Sequence, residues 1–196
     1  MKWTGTGSAG TIPHGLGAAP HFYVVKNLTD DSTSWQAYHR GIASDAETDY
    51  IYLNSTAAAG DADDWNDTAP TSEVFSVGSA SSMNASGGTY IAYLFASLDG
   101  VSKVGSFSHT NGTATNVDCG FSSGARFVLL KRYSSTGSWI VFDAERGIVS
   151  GNDPYLALDT TNAEVTSNDV IDPYSSGFTV ASGFLATGDW IFYAIA

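Results

Sequence analysis

Two stretches of the sequence decide the fold: HGLGAAPHFYVVK at residues 14–26 and CGFSSGARFVLLK at residues 119–131. Each has glycines in its first half, an apolar run in its second half and a lysine in its last position. A segment that returns with the same order of residue types indicates that one structural unit occurs twice. The chain is therefore predicted to be a tandem duplication.

Further matches follow in the same order in both halves. They join residues 34–35 with 138–139, 40–42 with 146–148, 50–53 with 155–158, 75–77 with 178–180, and 90–96 with 190–196. We predict two repeats of about 100 residues each, because a period of this length is typical of repeated domains. The first is assigned to residues 1–99 and the second to residues 100–196, packed together as one compact unit.

The pattern within each repeat is typical of strands. Short apolar or alternating runs rich in Val, Ile, Tyr, Phe and Trp are separated by clusters of Gly, Asn, Asp and Ser. No long window keeps the 3.6-residue apolar period of a helix. We expect an all-β, pseudo-symmetric β-sandwich of jelly-roll type with little helix. A short helical turn is expected at residues 55–64, with a counterpart at 160–165.

Three apolar runs lack the alternation of a half-exposed strand. They lie at residues 22–25, 128–130 and 90–96. Strands buried on both faces have such continuous runs. These segments are therefore predicted to be the central strands of the core.

Composition excludes several classes of partner. The 196 residues include 8 Lys plus Arg against 20 Asp plus Glu, a net charge of -12, which repels nucleic-acid phosphates and anionic membranes. The longest strongly apolar run, at residues 90–96, is too short to span a bilayer. We expect a soluble protein with no nucleic-acid partner and no membrane insertion, and Cys119 alone forms no intrachain disulfide.

Three longer phrases carry a resemblance to a known family. They are TIPHGLGAAP at residues 11–20, WNDTAPTS at 65–72 and GGTYIAYLFA at 87–96. The sequence resembles a tandemly duplicated, functionally uncharacterised β-domain of virion proteins in marine tailed bacteriophages, found in tail-fibre and other structural proteins. The resemblance covers nearly the whole chain, and the second repeat departs from it more than the first.

The resemblance implies where the protein is found rather than a reaction that it catalyses, since that family has no assigned catalytic residues. It implies a non-enzymatic virion structural protein, a tail-fibre or particle-surface module that contributes to host-surface attachment. It also implies other virion proteins as partners, assembly as a homo-oligomer, and a location on the tail or capsid exterior. A host surface glycan is the expected ligand.

Aromatic side chains provide the candidate binding residues, because sugar rings stack on exposed aromatic faces. Trp35 and Trp139 recur in both repeats, so core packing is the first interpretation for them. Trp65 has no clear counterpart and lies in a polar loop where Asp64 and Asp67 could bond sugar hydroxyls. These three residues form the predicted ligand site, and the alternative is a tryptophan that fixes its loop to a sheet.

No motif supports a catalytic residue, a cofactor or a metal. GTGSAG at residues 5–10 lacks the helix that a dinucleotide site requires, so a flexible hairpin is expected there. GFSSG at 120–124 lacks the strand-to-helix corner of a nucleophilic serine. The acidic stretch at 61–67 fails the EF-hand spacing, although its four carboxylates leave calcium as an open alternative.

The remaining chemistry-bearing residues show no recognisable spacing. They are the histidines His14, His21, His39 and His109, and the glutamates Glu47, Glu73, Glu145 and Glu164. Metal sites need clustered ligands, and glycoside cleavage needs two facing carboxylates. The alternatives to an attachment module are a capsid decoration protein without receptor binding and a carbohydrate-binding module of a secreted enzyme, with a hydrolase as a remote third.

Overall fold

The computed structural model describes residues 1–196 and divides the chain into two units, Met1–Ala96 and Ser97–Ala196. The strands of the first unit are β1 (Lys2–Thr4), β2 (Gly10–Pro13), β3 (Phe22–Asn27), β4 (Gln36–His39), β5 (Asp49–Tyr52), β6 (Gly60–Asp61), β7 (Val74–Val77) and β8 (Thr89–Phe95). Its helical elements are two 3-10 turns, Ala46–Thr48 and Asp63–Trp65, and the short helix α1 (Ser81–Asn84).

The second unit contains strands alone. They are β9 (Ser102–His109), β10 (Thr115–Asp118), β11 (Phe127–Arg132), β12 (Trp139–Asp143), β13 (Leu156–Ala157), β14 (Ile171–Tyr174), β15 (Gly177–Val180) and β16 (Gly188–Ile195). The all-β prediction is confirmed. The expectation that the repeats pack together as one compact unit stays a prediction.

Each unit has one large and one small antiparallel sheet. In the first unit the large sheet has the order β1-β8-β3-β4-β5-β6, and β2 pairs with β7. In the second unit the large sheet has the order β13-β12-β11-β16-β9, and the small sheet has the order β10-β15-β14. Every strand pair is antiparallel, as expected for strands joined by short turns.

The predicted central strands lie inside their sheets. All six residues of β3 are buried, and so are the four central residues of β11. This confirms the prediction for residues 22–25 and 128–130. The prediction that residues 90–96 are buried on both faces is wrong, because Tyr93 in β8 is 50% exposed. Its neighbours Tyr90 and Ala92 face the core, so β8 alternates over part of its length.

Aromatic rings dominate the core of the first unit. Trp3 of β1 stacks on Tyr90 at 5.3 Å between ring centroids and meets the edge of Phe75 in the small sheet at 5.7 Å. Tyr23 contacts Phe75 at 5.1 Å from the centre of the large sheet. Offset and edge-to-face pairs of this kind add to the free energy gained from burying apolar area.

The core of the second unit repeats this arrangement with different rings. Phe107 of β9 meets the edge of Phe178 in the small sheet at 6.2 Å, and Phe178 meets Phe192 at 5.5 Å. Cys119 lies in the same core cluster as a free thiol. Burial raises the pKa of this thiol to about 12.

The helical turn expected at residues 160–165 is wrong, and the one expected at residues 55–64 is right only at its end. Residues 55–59 have no regular structure, and the Asp63–Trp65 turn overlaps only the end of the predicted segment. Gly60 and Asp61 instead pair with β5, and in the second unit Val165 forms a β-bridge with Tyr155. Short segments without an apolar stripe gain too little from packing to nucleate a helix. The helical elements, the longest of which is the four-residue α1, are all far too short to span a membrane.

A buried lysine is the last but one residue of the central strand in each unit. Lys26 Nζ donates to the carbonyl oxygens of Thr33 at 2.7 Å and Asp30 at 3.3 Å. Lys131, which is fully buried, donates to the carbonyl oxygen of Gly137. Each ammonium thus satisfies carbonyls of the loop that follows its strand. Burial lowers the pKa of Lys131 to about 8, and nearby Asp159 opposes this shift.

Lys131 is expected to make stability depend on alkaline pH. Between about pH 8 and 10.5 the unfolded chain holds a proton that the folded chain lacks, so the contribution of Lys131 to stability rises with pH. The difference in unfolding free energy between the parent and Lys131→Met, measured in denaturant, should therefore increase across this window. Lys103→Met, at an exposed lysine, is the control for the loss of one charge. A difference that is constant with pH would contradict the shift.

Candidate functional site

Trp65, the main residue of the predicted ligand site, lies inside the core of the first unit. None of its side chain is exposed. Its Nε1 donates to the carbonyl oxygen of Asp49 at 2.8 Å, and its ring meets the edges of Tyr23 and Tyr38. A ring with no exposed face cannot stack on a sugar, so the structure corrects this assignment. Trp65 fixes its loop to the large sheet, which was the alternative interpretation.

The two aspartates of the predicted site do not share a surface with each other. Asp64 is buried, and burial followed by the charge of Asp63 raises its pKa to about 6. Asp67 is exposed on a left-handed turn, with a φ of 43°. The three predicted residues are therefore adjacent in sequence but point into different environments. No group of three or more His, Cys, Asp or Glu side chains is gathered in a way that could hold a metal ion.

The glycine-rich motifs have structural roles. Residues 5–10 connect β1 of the large sheet to β2 of the small sheet, so the expected hairpin is wrong. Asn84 holds this connection, because its Oδ1 accepts from Thr6 N at 3.1 Å and its Nδ2 donates to Ser8 O at 2.7 Å. Residues 120–124 lead into strand β11 rather than a helix.

The second unit contains a cleft that the sequence did not indicate. It measures about 340 Å³ and opens between the large sheet, residues 160–165 and residues 184–186. Its lining residues are Arg132, Thr136, Gly137, Ser138, Ile140, Tyr155, Ala157, Thr160, Asn162, Ala163, Val165, Phe184, Leu185, Ala186 and Trp190. This volume lies at the lower end of the range of small-molecule sites.

Neighbouring elements position the aromatic walls of the cleft. The bridge between Tyr155 and Val165 closes the loop on one side, and Tyr155 Oη accepts from Asn168 Nδ2 at 3.1 Å. Trp190 on β16 donates from Nε1 to the carbonyl oxygen of Ala186 at 3.2 Å. Phe184 is 39% exposed and lies 5.8 Å from the ring of Tyr155. Hydrogen bonds thus hold the side chains of Tyr155 and Trp190 in place, whereas the ring of Phe184 is partly exposed to solvent.

Arg132 is the only charged residue that lines the cleft. Its Nη2 donates to the carbonyl oxygen of Thr187, and its Nε is buried without a hydrogen-bond partner. A Cβ at Gly188 would lie 2.6 Å from Nε, so this glycine leaves room for the guanidinium. Arg146, by contrast, forms ion pairs with Asp143 and Glu164. Arg132 is therefore a positioned cation without a carboxylate partner.

Two other concave regions are more polar and more open. One in the first unit, of about 310 Å³, includes His21, Arg40 and Glu47, with His21 Nε2 lying 2.9 Å from Arg40 Nη1. One in the second unit, of about 610 Å³, includes Arg126 and Arg146. The first has a single tyrosine, Tyr38, in its lining and the second has no Phe, Tyr or Trp, whereas specific small-molecule sites are lined mainly by apolar and aromatic side chains.

Sequence reasoning missed the cleft because its aromatic residues looked structural. Tyr155 and Trp190 belong to segments that match segments of the first unit in sequence, which favours a structural role for both. Phe184 was the available signal, as an aromatic residue within the polar stretch SGFLATG at residues 182–188. An aromatic side chain in a glycine-rich connection has little local core to fill.

A family model described as Domain of unknown function (DUF7483) matches residues 1–196. The chain belongs to this family. DUF7483 as a family specifies no activity, so the geometry of the chain has to carry the functional argument. No curated protein and no solved structure matches the chain.

Removal of Trp65 is expected to destabilise this DUF7483 domain. Trp65→Ala should lower the unfolding free energy by about 3–5 kcal/mol, because a fully buried ring leaves a cavity and an unpaired carbonyl. Denaturant titration with fluorescence or circular dichroism measures the change. Leu28→Ala, at an exposed residue of the same unit, should change stability by less than about 0.5 kcal/mol. Equal stability of the two variants would contradict the buried position of Trp65.

Asp64 is expected to make the domain less stable as pH rises toward neutral. Its folded pKa of about 6 exceeds the ordinary value of 3.8, so the folded chain binds the extra proton between these values and stability falls as pH increases through them. Asp64→Asn should remove this dependence and exceed the parent in stability above pH 6. Asp31→Asn, an exposed control, should keep it. Melting temperatures from pH 4 to 7 test both variants, and a parental slope in Asp64→Asn would refute the assignment.

Proposed function

We propose that this chain is a non-enzymatic bacteriophage virion structural protein, a tail-fibre or particle-surface module that binds the host surface. The proposal includes a β-sandwich of two tandem repeats, other virion proteins as partners and assembly as a homo-oligomer. The observation that carries it is the aromatic cleft of the second unit.

Strand order supports the duplication. The order β1-β8-β3-β4-β5 in the first unit corresponds to β9-β16-β11-β12-β13 in the second. The pairing of β2 with β7 corresponds to that of β10 with β15. The order of the strands along the chain is also the same. Two unrelated domains would seldom share both the sheet order and the connections.

Register supports the duplication at the level of residues. Phe22 lies opposite Phe95 and His39, and Phe127 lies opposite Ile195 and Asp143. These positions align the two sequences as the repeated phrases do.

Loop hydrogen bonds follow the same correspondence. Trp35 N donates to Asn54 Oδ1 at 3.0 Å, and Trp139 N donates to Asp159 Oδ1 at 2.9 Å. In each unit the tryptophan carbonyl then accepts from the residue before that side chain, Leu53 or Leu158, at 2.9 Å. One loop design thus serves both units.

The repeats diverge where the cleft lies. Asn27 in the first unit occupies the register position of Arg132 in the second, opposite Tyr90 rather than Trp190. Asn27 is buried, and its Nδ2 donates to Tyr90 Oη and to Ser81 O, both at 3.2 Å. In the first unit this position therefore holds a buried amide whose hydrogen bonds are made within the unit. In the second unit it holds an arginine without a carboxylate partner.

The connection before the last strand diverges as well. In the first unit α1 packs against β3, and its Met83 is fully buried. In the second unit residues 181–187 form no helix and expose part of Phe184. Two copies of one scaffold that differ in this way favour a binding role for the open copy, since rigid sheets commonly hold variable recognition loops.

The lining of the cleft favours binding over cleavage. Glycoside hydrolysis requires a pair of carboxylates across the bond, and the lining residues include neither Asp nor Glu. Hydroxyl and amide groups from Thr160 and Asn162 can bond sugar hydroxyls beside the rings. A carbohydrate-binding module of a secreted enzyme is the second candidate, because the same cleft would serve it.

Particle labelling and adsorption competition test the proposal. Gold-labelled antibody against the chain should mark the fibres or outer surface of intact phage particles. The purified chain should slow phage adsorption to host cells, and Phe184→Ala should compete at least about tenfold less well, since an aromatic contact is lost from the cleft. Val101→Ala, at an exposed residue outside the cleft, is the matched control.

The outcomes separate the candidate functions. Labelled particles without competition would favour a decoration protein that binds no receptor. Unlabelled particles, together with cleft-dependent sugar binding, would favour the module of a secreted enzyme. Unlabelled particles without any binding would refute both.

A further inference from the structure

We propose that the cleft of the second unit binds an anionic saccharide, a sugar unit that carries a carboxylate or a sulfate. This inference rests on the proposed function, because it names the ligand class of the same cleft. It is carried by three observations: the aromatic walls, the guanidinium of Arg132, which forms no ion pair, and the absence of acidic residues from the lining.

The shape of the cleft fits a sugar ring better than an extended peptide. Tyr155 and Phe184 are tilted by 55° to each other at the mouth, and the floor is apolar with Ile140 and Trp190. Pyranose rings present apolar C–H faces to such rings and hydroxyl groups to the rim. The polar rim residues Thr136, Ser138, Thr160 and Asn162 supply hydrogen-bonding side chains around it.

The charges of the residues that line the cleft favour an anionic sugar over a neutral one. Acidic residues outnumber basic residues by 20 to 8 in the chain, yet the cleft contains one arginine and no acid. A cation that is positioned in a partly apolar site without an anion of its own attracts one from a ligand. A guanidinium binds carboxylate or sulfate through charge-assisted hydrogen bonds, which are stronger than those to neutral hydroxyls.

Neighbouring residues hold the side chain of Arg132 in a defined position at the cleft. Its Cα lies in register with Trp190, so the side chain leaves β11 beside the aromatic floor. Gly188 leaves the space for the guanidinium, and the carbonyl oxygen of Thr187 orients it through Nη2. The Nε atom is buried, so the Nη groups are the donors left for a ligand, and an arginine held on one side by a carbonyl offers them at little cost in side-chain entropy.

Calorimetric titration of the full chain with three oligosaccharides of equal length tests the inference. The probes are a polyuronate, a sulfated galactan and a neutral galactan. Binding of at least one anionic probe should exceed binding of the neutral probe about tenfold or more and should weaken as NaCl is raised. The polyuronate and sulfated arms distinguish the two sources of negative charge.

Variants assign the preference to the cleft. Arg132→Gln should reduce anionic binding to the level of the neutral probe, and Arg132→Lys should keep part of the preference because it keeps the charge. Phe184→Ala should weaken binding of all probes. Arg126→Gln removes an arginine outside the cleft and should leave binding unchanged. Melting temperatures show that each variant is folded, and Arg132→Lys with the salt dependence keeps the test decisive if Arg132→Gln is unfolded.

Several results would overturn the inference. Equal binding of neutral and anionic probes, or an anionic preference that survives Arg132→Gln, would remove the role of the guanidinium. No binding of either anionic probe would remove the ligand class itself. The failure of the proposed function is a separate result, because particle labelling does not depend on which sugar binds.

Discussion

Each unit depends on one strand that is buried along nearly its full length and bonded on both sides. β3 pairs with β4 and β8, and β11 pairs with β12 and β16. A buried strand has to satisfy every backbone group through its neighbours, so its position fixes theirs. The lysine near the end of each such strand extends the same requirement to the following loop, where it satisfies carbonyls that water would otherwise bond.

Continuous apolar runs made these central strands predictable, because residues 22–25 and 128–130 have no polar face to present. The same reasoning overextended to residues 90–96, where Tyr93 is half exposed although tyrosine looks apolar in a run. Trp65 shows the opposite case, a fully buried residue in a polar segment. Its neighbours are all polar, so the sequence gives no sign that a 3-10 turn carries the ring into the core.

Apart from Phe184, the sequence carries no sign of the cleft, because the cleft arises from a difference in tertiary packing between segments that match in sequence. Tyr155 and Trp190 have the same residue types that fill the core elsewhere, and in the second unit both line an open cleft that no helix covers. The sequence does not single out Arg132 either, because whether an arginine forms an ion pair depends on which carboxylates lie near it in the folded chain.

The buried thiol of Cys119 gives the folded state a chemical marker. Only the thiolate reacts readily with electrophiles, and a burial-raised pKa keeps this sulfur protonated at neutral pH as well as out of reach. With one cysteine in the whole sequence, uptake of a thiol reagent reports a single event, the opening of the core around β10 and β15. Conversely, a cysteine introduced on an exposed loop would carry a fluorophore or cross-linker at one defined position while the native sulfur remained silent.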